Sequence, residues 1–161
     1  MSILTFAERF KVTEAHAPES ADAMDNTCDI VSLKNVSRLT VVLHHCSDGG
    51  DTDLVITWNE STDVAGTGTT AITTVCPIWY NLDTSVGDAL TRATDAITFT
   101  VDTTLQLNQI WVVEFDPAKF SAGFDCFQIR SSGGNSANYV SVMYYADMLY
   151  QSNVPPSIIT D

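Results

Sequence analysis

Positive charge is what this chain has least of. Seven lysines and arginines stand against twenty acidic residues in 161, a formal net charge of −13 at pH 7, and the seven are scattered rather than clustered. Displacing counterions from a polyphosphate takes grouped Lys and Arg, so neither nucleic-acid binding nor adhesion to an anionic membrane is expected. An excess of one sign favours solubility, and any attraction to a basic surface would weaken with salt. Long apolar runs are missing too. Nothing approaches the roughly 18 apolar residues of a membrane span, and the first eleven residues hold no basic stretch followed by an apolar core. The expectation is a protein made and kept soluble in a cytoplasm, at least initially.

Cysteines are few and far apart. Cys28, Cys46, Cys76 and Cys126 fall mostly in apolar strand-like runs, so they are expected as reduced, buried or half-buried thiols rather than disulfides. Catalytic apparatus is lacking as well. No serine sits in a Gly-x-Ser-x-Gly elbow, and His16 lies in an expected loop, so neither an enzyme nor a cofactor is expected.

Weaker chemical candidates each have a plainer reading. His44, His45 and Cys46 are metal-ligand types, but adjacent strand residues point to opposite faces, which favours a half-buried histidine with an ordinary hydrogen bond. Asp48, Asp51 and Asp53 could offer oxygen donors to calcium, yet the EF-hand spacing and its distal Glu are missing, and turn carboxylates suffice. Glu60, Asp63 and Glu114 can be drawn as a glycosidase pair, although so acidic a chain supplies such pairs by chance. Trp58, Trp79, Tyr80 and Trp111 could stack a sugar, but Trp58 and Trp111 sit among alternating strand residues and are expected in the core or at a subunit contact.

Alternation is what the sequence does have. A strand-loop-strand pattern appears twice, as 37–45, the loop 46–53 and 54–59, and again as 124–131, the loop 132–138 and 139–149. Leu39, Val41, Leu43 and His45 share one face while Thr40, Val42, His44 and Cys46 share the other; apolar residues on both predict a central strand. Leu54, Ile56 and Trp58 alternate more cleanly. Residues 71–80 predict a third strand with Pro77 at a bulge, edge or end, and 81–95 a short helix or a long loop. Strands at 96–102 and 109–115 follow, the latter ended by Asp116 and Pro117. Seven or eight short strands without a βαβ unit predict an all-β fold, an antiparallel β-sandwich or jelly-roll-like domain.

The ends read differently. Thr5 and Glu8 have capping-box spacing, but Leu4, Phe6, Phe10 and Val12 also fit an extended arm, the preferred reading, with 15–26 as an unperiodic linker or a loop laid on the surface. Pro155 and Pro156 open a tail that can be neither helix nor central strand. The expected division is an arm at 1–27, a sandwich at 28–150 and a tail at 151–161. Tyr and Met crowd the last strand, which suggests an apolar interface. Its expected residues are Tyr139, Met143, Tyr145, Met148 and Tyr150, together with Leu4, Phe6 and Phe10 of the arm.

The order of segments resembles tailed-bacteriophage virion proteins of the head decoration, cement or minor capsid type. The likeness is one of layout and spans most of the chain: LTFAERF at 4–10, DIVSLK at 29–34 leading into RLTVVL at 38–43, DLVITWNES at 53–61 with TAIT at 70–73, and the closing pair at 124–143 followed by a tail. Residues 76–95 depart from the shorter pattern of that family. The resemblance implies a non-enzymatic β protein that clamps the outer capsid surface of a virion. Its partner would be the major capsid protein, and the chain would be a homo-oligomer, with a trimer favoured. A carbohydrate- or receptor-binding β-module is the rival reading, and a tail or neck component shares the same features.

Overall fold

In a computed structural model of the chain, residues 5–25, 28–104, 107–150 and 154–160 are described. A one-turn helix α1 (Phe6–Arg9) leads into β1 (Phe10–Ser20). Then come β2 (Val31–Ser32), β3 (Val36–Cys46), β4 (Leu54–Ser61), β5 (Thr70–Ala71), β6 (Ile78–Asn81), β7 (Thr91–Arg92), β8 (Phe99–Val101), β9 (Gln109–Phe115), β10 (Cys126–Gly133) and β11 (Tyr139–Met148). Every described pairing is antiparallel. One sheet has the order β1-β11-β3-β9-β6-β7; the other runs β2-β10-β4-β5, with β8 also on β4. The chain switches sheets from β1 to β2, β2 to β3 and β3 to β4, and again from β8 through β11. That wrapping, β1-β11-β3-β9 against β2-β10-β4-β8, is a jelly roll. The expected all-β sandwich is therefore the fold, with β6 and β7 widening one sheet.

Each of the two strand-loop-strand units crosses the sandwich instead of folding back as a hairpin. β3 and β11 lie side by side in the larger sheet, and β4 and β10 side by side in the smaller. Period-two patterning tells which side chains point inward but not which strand lies alongside, so the partners were not readable from it.

The expected arm needs correction. Residues 10–20 pair with β11 along its length, Phe10 opposite Asp147 and Ser20 opposite Tyr139. Without β1, β11 would be a ten-residue apolar edge with its main-chain groups unpaired. Register shifts between Glu14 and His16 and between His16 and Glu19, beside Pro18, break the alternation and gave this strand the look of a linker. Just before it the capping box does form: Glu8 Oε2 accepts the Thr5 N–H at 2.7 Å, which holds the Glu8 carboxyl below its usual range. The tail is docked as well. Pro155 and Ile158 are buried, and the Ile158 carbonyl accepts the Ser32 N–H at 2.6 Å.

Inward positions meet in one core, and an aromatic seam ties the sheets together. Phe99 of β8 stacks on Trp111 of β9 at 4.5 Å. Trp58 of β4 meets Phe115 of β9 edge-on at 5.1 Å, and Phe115 meets Phe127 of β10 at 4.3 Å. Tyr144 of β11 closes the series edge-on to Phe127. Its buried hydroxyl accepts the Ile129 N–H at 3.0 Å and donates to the Asp29 carbonyl at 3.3 Å; burial, with Cys28 and the Asp29 charge nearby, holds its pKa well above the usual phenol value against the opposing Ile129 N–H.

One end of the sandwich is locked by Asn138, which has no exposed surface. Its Oδ1 accepts the Asp48 and Gly50 N–H groups at 3.0 and 3.1 Å, and its Nδ2 donates to the Gly50 carbonyl at 3.0 Å. Both crossover loops are thereby joined through one side chain. Gly50 is required there, since a Cβ would lie 2.6 Å from Asn135 Cγ. Replacing Asn138 with Ala leaves buried main-chain groups unpaired, and the expected cost is about 2–4 kcal/mol. Urea unfolding measures it; a midpoint within error of the parent chain would show that the lock contributes nothing.

Candidate interaction surface

The expected interface residues separate into four places. Phe6, 56% exposed, stacks on Phe10 at 4.8 Å and stands edge-on to Tyr145 at 6.0 Å. Arg9 lies 5.0 Å over the Phe10 ring and bonds Asp147 at 3.0 Å, so the cluster has a charged rim. Tyr150 is exposed just beyond β11, near this cluster. Met143 is half-buried in the middle of the outer face of the larger sheet, while Tyr139 is exposed at the opposite end of the same strand. Leu4 lies outside the described residues. Met148 is a correction: it is 3% exposed in the core, because even-numbered positions of β11 point inward.

Residues missed from sequence complete the surface. Paired antiparallel residues point to the same side, so register places Met143, Val42, Val112 and Trp79 in one row across β11, β3, β9 and β6. All four are half-buried. Glu14 of β1 continues the row beyond Met143, and Arg92 of β7 continues it beyond Trp79. The signal was present in the two apolar faces of β3, one of which turns out to face outward.

The outer face of the smaller sheet is of another kind. Gln128 pairs with Asn59, Arg130 with Thr57, and Ser132 with Val55, which also meets Thr100. Only Val55 in that set is apolar.

Candidate chemical groups are dispersed. His44 is exposed and His45 buried, on opposite faces of β3. Asp53 Oδ1 accepts the Thr103 N–H at 3.0 Å, and among the described residues no three His, Cys, Asp or Glu side chains are disposed to hold a metal. Glu60 points inward from β4 and accepts the Ser121 N–H at 2.9 Å. Asp63 closes its own loop on the Thr67 N–H at 3.0 Å, and Glu114 bonds Arg38 at 3.2 Å on the outer face of the other sheet. Trp58 and Trp111 belong to the core, whereas half-buried Trp79 lies under the Arg92 guanidinium at 4.5 Å. Burial pushes the Cys28 and Cys76 thiols up to about 12, which leaves them un-ionised at neutral pH. A cleft floored by Ile72, Cys76, Phe115 and Phe120 holds ≈ 130 Å³, small beside the ~300 Å³ and more of ligand pockets. No family model, curated protein sequence or solved structure matches the chain.

His45 is the buried titratable group in this core with the least support. Neither ring nitrogen has a hydrogen-bond partner of good geometry among the described residues. Burial and the neighbouring His44 lower its pKa, with the Leu107 backbone opposing. The unfolded chain therefore takes up the proton first as pH falls. The stability that depends on neutral His45 is complete above about pH 6.5 and is lost below it, toward the lowered folded-state value. In His45→Leu the loss of unfolding free energy between about pH 7.5 and about pH 5 should shrink relative to the parent chain. Equal losses in the two proteins would exclude the histidine as a source.

Proposed function

We propose that this chain is a non-enzymatic structural protein of a virion, seated on the outer capsid surface as a decoration or cement protein with the major capsid protein as its partner. The observation that carries the reading is the difference between the two ends of the sandwich. At the α1 end, Phe6, Leu149, Tyr150 and Ile159 are exposed. Around them lie Arg9, Lys34, Arg38 and Lys119, four of the seven basic residues, with Arg9, Lys34 and Arg38 paired to Asp147, Asp125 and Glu114. At the Asn138 end, the loops carry Asp22, Asp48, Asp51, Asp53 and Asp102 with no Lys or Arg among the described residues.

Such polarity suits a body that stands on a surface. Exposed aromatic and aliphatic side chains with paired charges resemble the composition of interfaces, while carboxylates with no cationic partner among the described residues remain hydrated and repel one another. β1, the edge strand of the larger sheet, begins at this end and runs to the Asn138 end, and its outer edge can accept a strand from a neighbour, main-chain hydrogen bonds supplying affinity and side-chain pockets specificity. Repetition over a symmetric shell multiplies modest contacts. The segment layout of tailed-phage head proteins supports the same reading.

The test is occupancy on purified tailed-phage capsids that carry the chain, stripped and rebuilt with variants. Phe6→Ser combined with Tyr150→Ser should lower occupancy by about tenfold or more without changing the melting temperature, while Asp48→Asn with Asp51→Asn leaves occupancy intact. Loss confined to the acidic-end variant would reverse the orientation. Tryptophan fluorescence that shifts on adding glycans, together with no capsid association, would replace this reading with a carbohydrate-binding module.

A further inference from the structure

We infer that the outer face of the six-stranded sheet is a self-docking surface, on which a second copy of this chain seats about a two-fold axis running along the strands. The inference does not rest on the capsid reading, although the two surfaces share Arg9, Arg38, Glu114 and Asp147 where this face meets the α1 end.

The row Glu14, Met143, Val42, Val112, Trp79, Arg92 crosses all six strands in register. A two-fold axis parallel to the strands, passing between Val42 and Val112, turns the row end for end. Val42 then faces the partner's Val112, Met143 the partner's Trp79, and Glu14 the partner's Arg92. Each contact occurs twice, as an isologous interface requires. A thioether against an indole is a favourable pair. The Arg92 guanidinium already donates to Asp95 and to the Ile78 and Ala93 carbonyls and lies over Trp79, which leaves two of its five N–H donors for a second carboxylate. Neighbouring rows add no like-charge clash, since Thr40 falls opposite the partner's Glu114 and His44 opposite the partner's Ile110, residues that share their rows within one copy.

Charge says why the occupant is another copy. The chain carries −13, so two copies repel across most of their surface. On this face Arg9, Arg38 and Arg92 stand against Glu14, Glu114 and Asp147, with Asp95 at the rim, and the repulsion nearly vanishes. The outer face of the smaller sheet offers neither the apolar row nor opposite charges at its ends.

Geometry sets the size of the contact. The axis sets β3 on the partner's β9, β11 on its β6 and β1 on its β7, overlaps limited by the shorter strand of each pair, which at about 4.8 Å by about 3.3 Å per residue outline roughly 400 Å² per copy. The total of about 800 Å² is that of a weak, transient contact. An axis along the strands keeps the strands of both copies aligned, the common way for sheets to stack face to face. This contact is two-fold and so replaces the trimer implied by the family layout.

Sedimentation velocity on the full chain reads the outcome. The parent should run as twice 17.5 kDa. Val112→Lys should run as a single chain with its β-sheet circular dichroism intact, and Met143→Gln, milder for folding, should raise the dimer dissociation constant about tenfold. Glu14→Arg and Arg92→Glu should each dissociate when alone, yet form a mixed dimer when the two variants are mixed, because one swapped pair and one native Glu14–Arg92 pair of opposite charges then face each other. A parent that stays monomeric at about 100 µM, an oligomer of another size, an oligomer that Val112→Lys leaves whole, or a charge-swapped mixture that stays monomeric would overturn the inference. A monomer that still decorates capsids would end this inference and leave the capsid reading standing.

Discussion

The aromatic seam between the sheets is the constraint on which the rest depends. Phe99, Trp58 and Phe127 from one sheet interlock with Trp111, Phe115 and Tyr144 from the other, and each is too large to move by one position without opening a void. Deleting such a ring costs about 3–5 kcal/mol. The Tyr144 hydroxyl adds a directional term by bonding the Ile129 and Asp29 main chains. Because side chains alternate with period two, a slip of one residue would turn an entire strand inside out. The seam therefore decides what is outside as much as what is inside. With Tyr144 inward, Met143 and Tyr145 must face outward, and with Trp111 and Val113 inward, Val112 must do the same.

The sequence was most legible where alternation is undisturbed. Residues 109–115 and 54–59 are strands as read, and Asp116 does end its strand, accepting the Ala118 N–H to cap the following turn. Legibility failed where the local pattern and the long-range partner are separate questions. Both strand-loop-strand units look like hairpins, because a crossover loop of Gly, Asp, Ser and Asn uses the same turn chemistry as a reversal. What distinguishes them is Asn138, whose hydrogen bonds join the two loops from 88 or more residues apart. No local window contains that information. The edge strand β1 was hidden for a related reason: its bulges and Pro18, the features that keep an edge from recruiting strands indiscriminately, are also those that erase its period.

The surface was half legible. Aromatic and Met density drew attention to β11, and alternation alone would have moved Met148 to the core. Phe6, Phe10 and Tyr145 do meet, although Phe6 and Phe10 are 139 and 135 residues away from Tyr145 in sequence. Val42 and Val112 carried no such density. They are ordinary β-branched strand residues, and their meaning comes from standing beside each other and beside Met143 on a face that no other element of the described chain covers completely.

The segment 76–95 is what makes that face whole. Without β6 and β7, the larger sheet would have the four strands of a plain jelly roll, and its outer row would stop at Val112 with an acidic end and no basic one. The added hairpin supplies Trp79 and Arg92, which mirror Met143 and Glu14 across the midpoint of the row. It also brings Arg92, one of only seven basic residues in the chain, to the one broad face where the others present, Arg9 and Arg38, already balance their carboxylates. In a chain that repels copies of itself nearly everywhere, a scarce charge placed at the far end of an apolar row has a large effect on how those copies can meet. Scarcity of positive charge thus bears on more than polyphosphate binding; it leaves few orientations in which two of these molecules can approach.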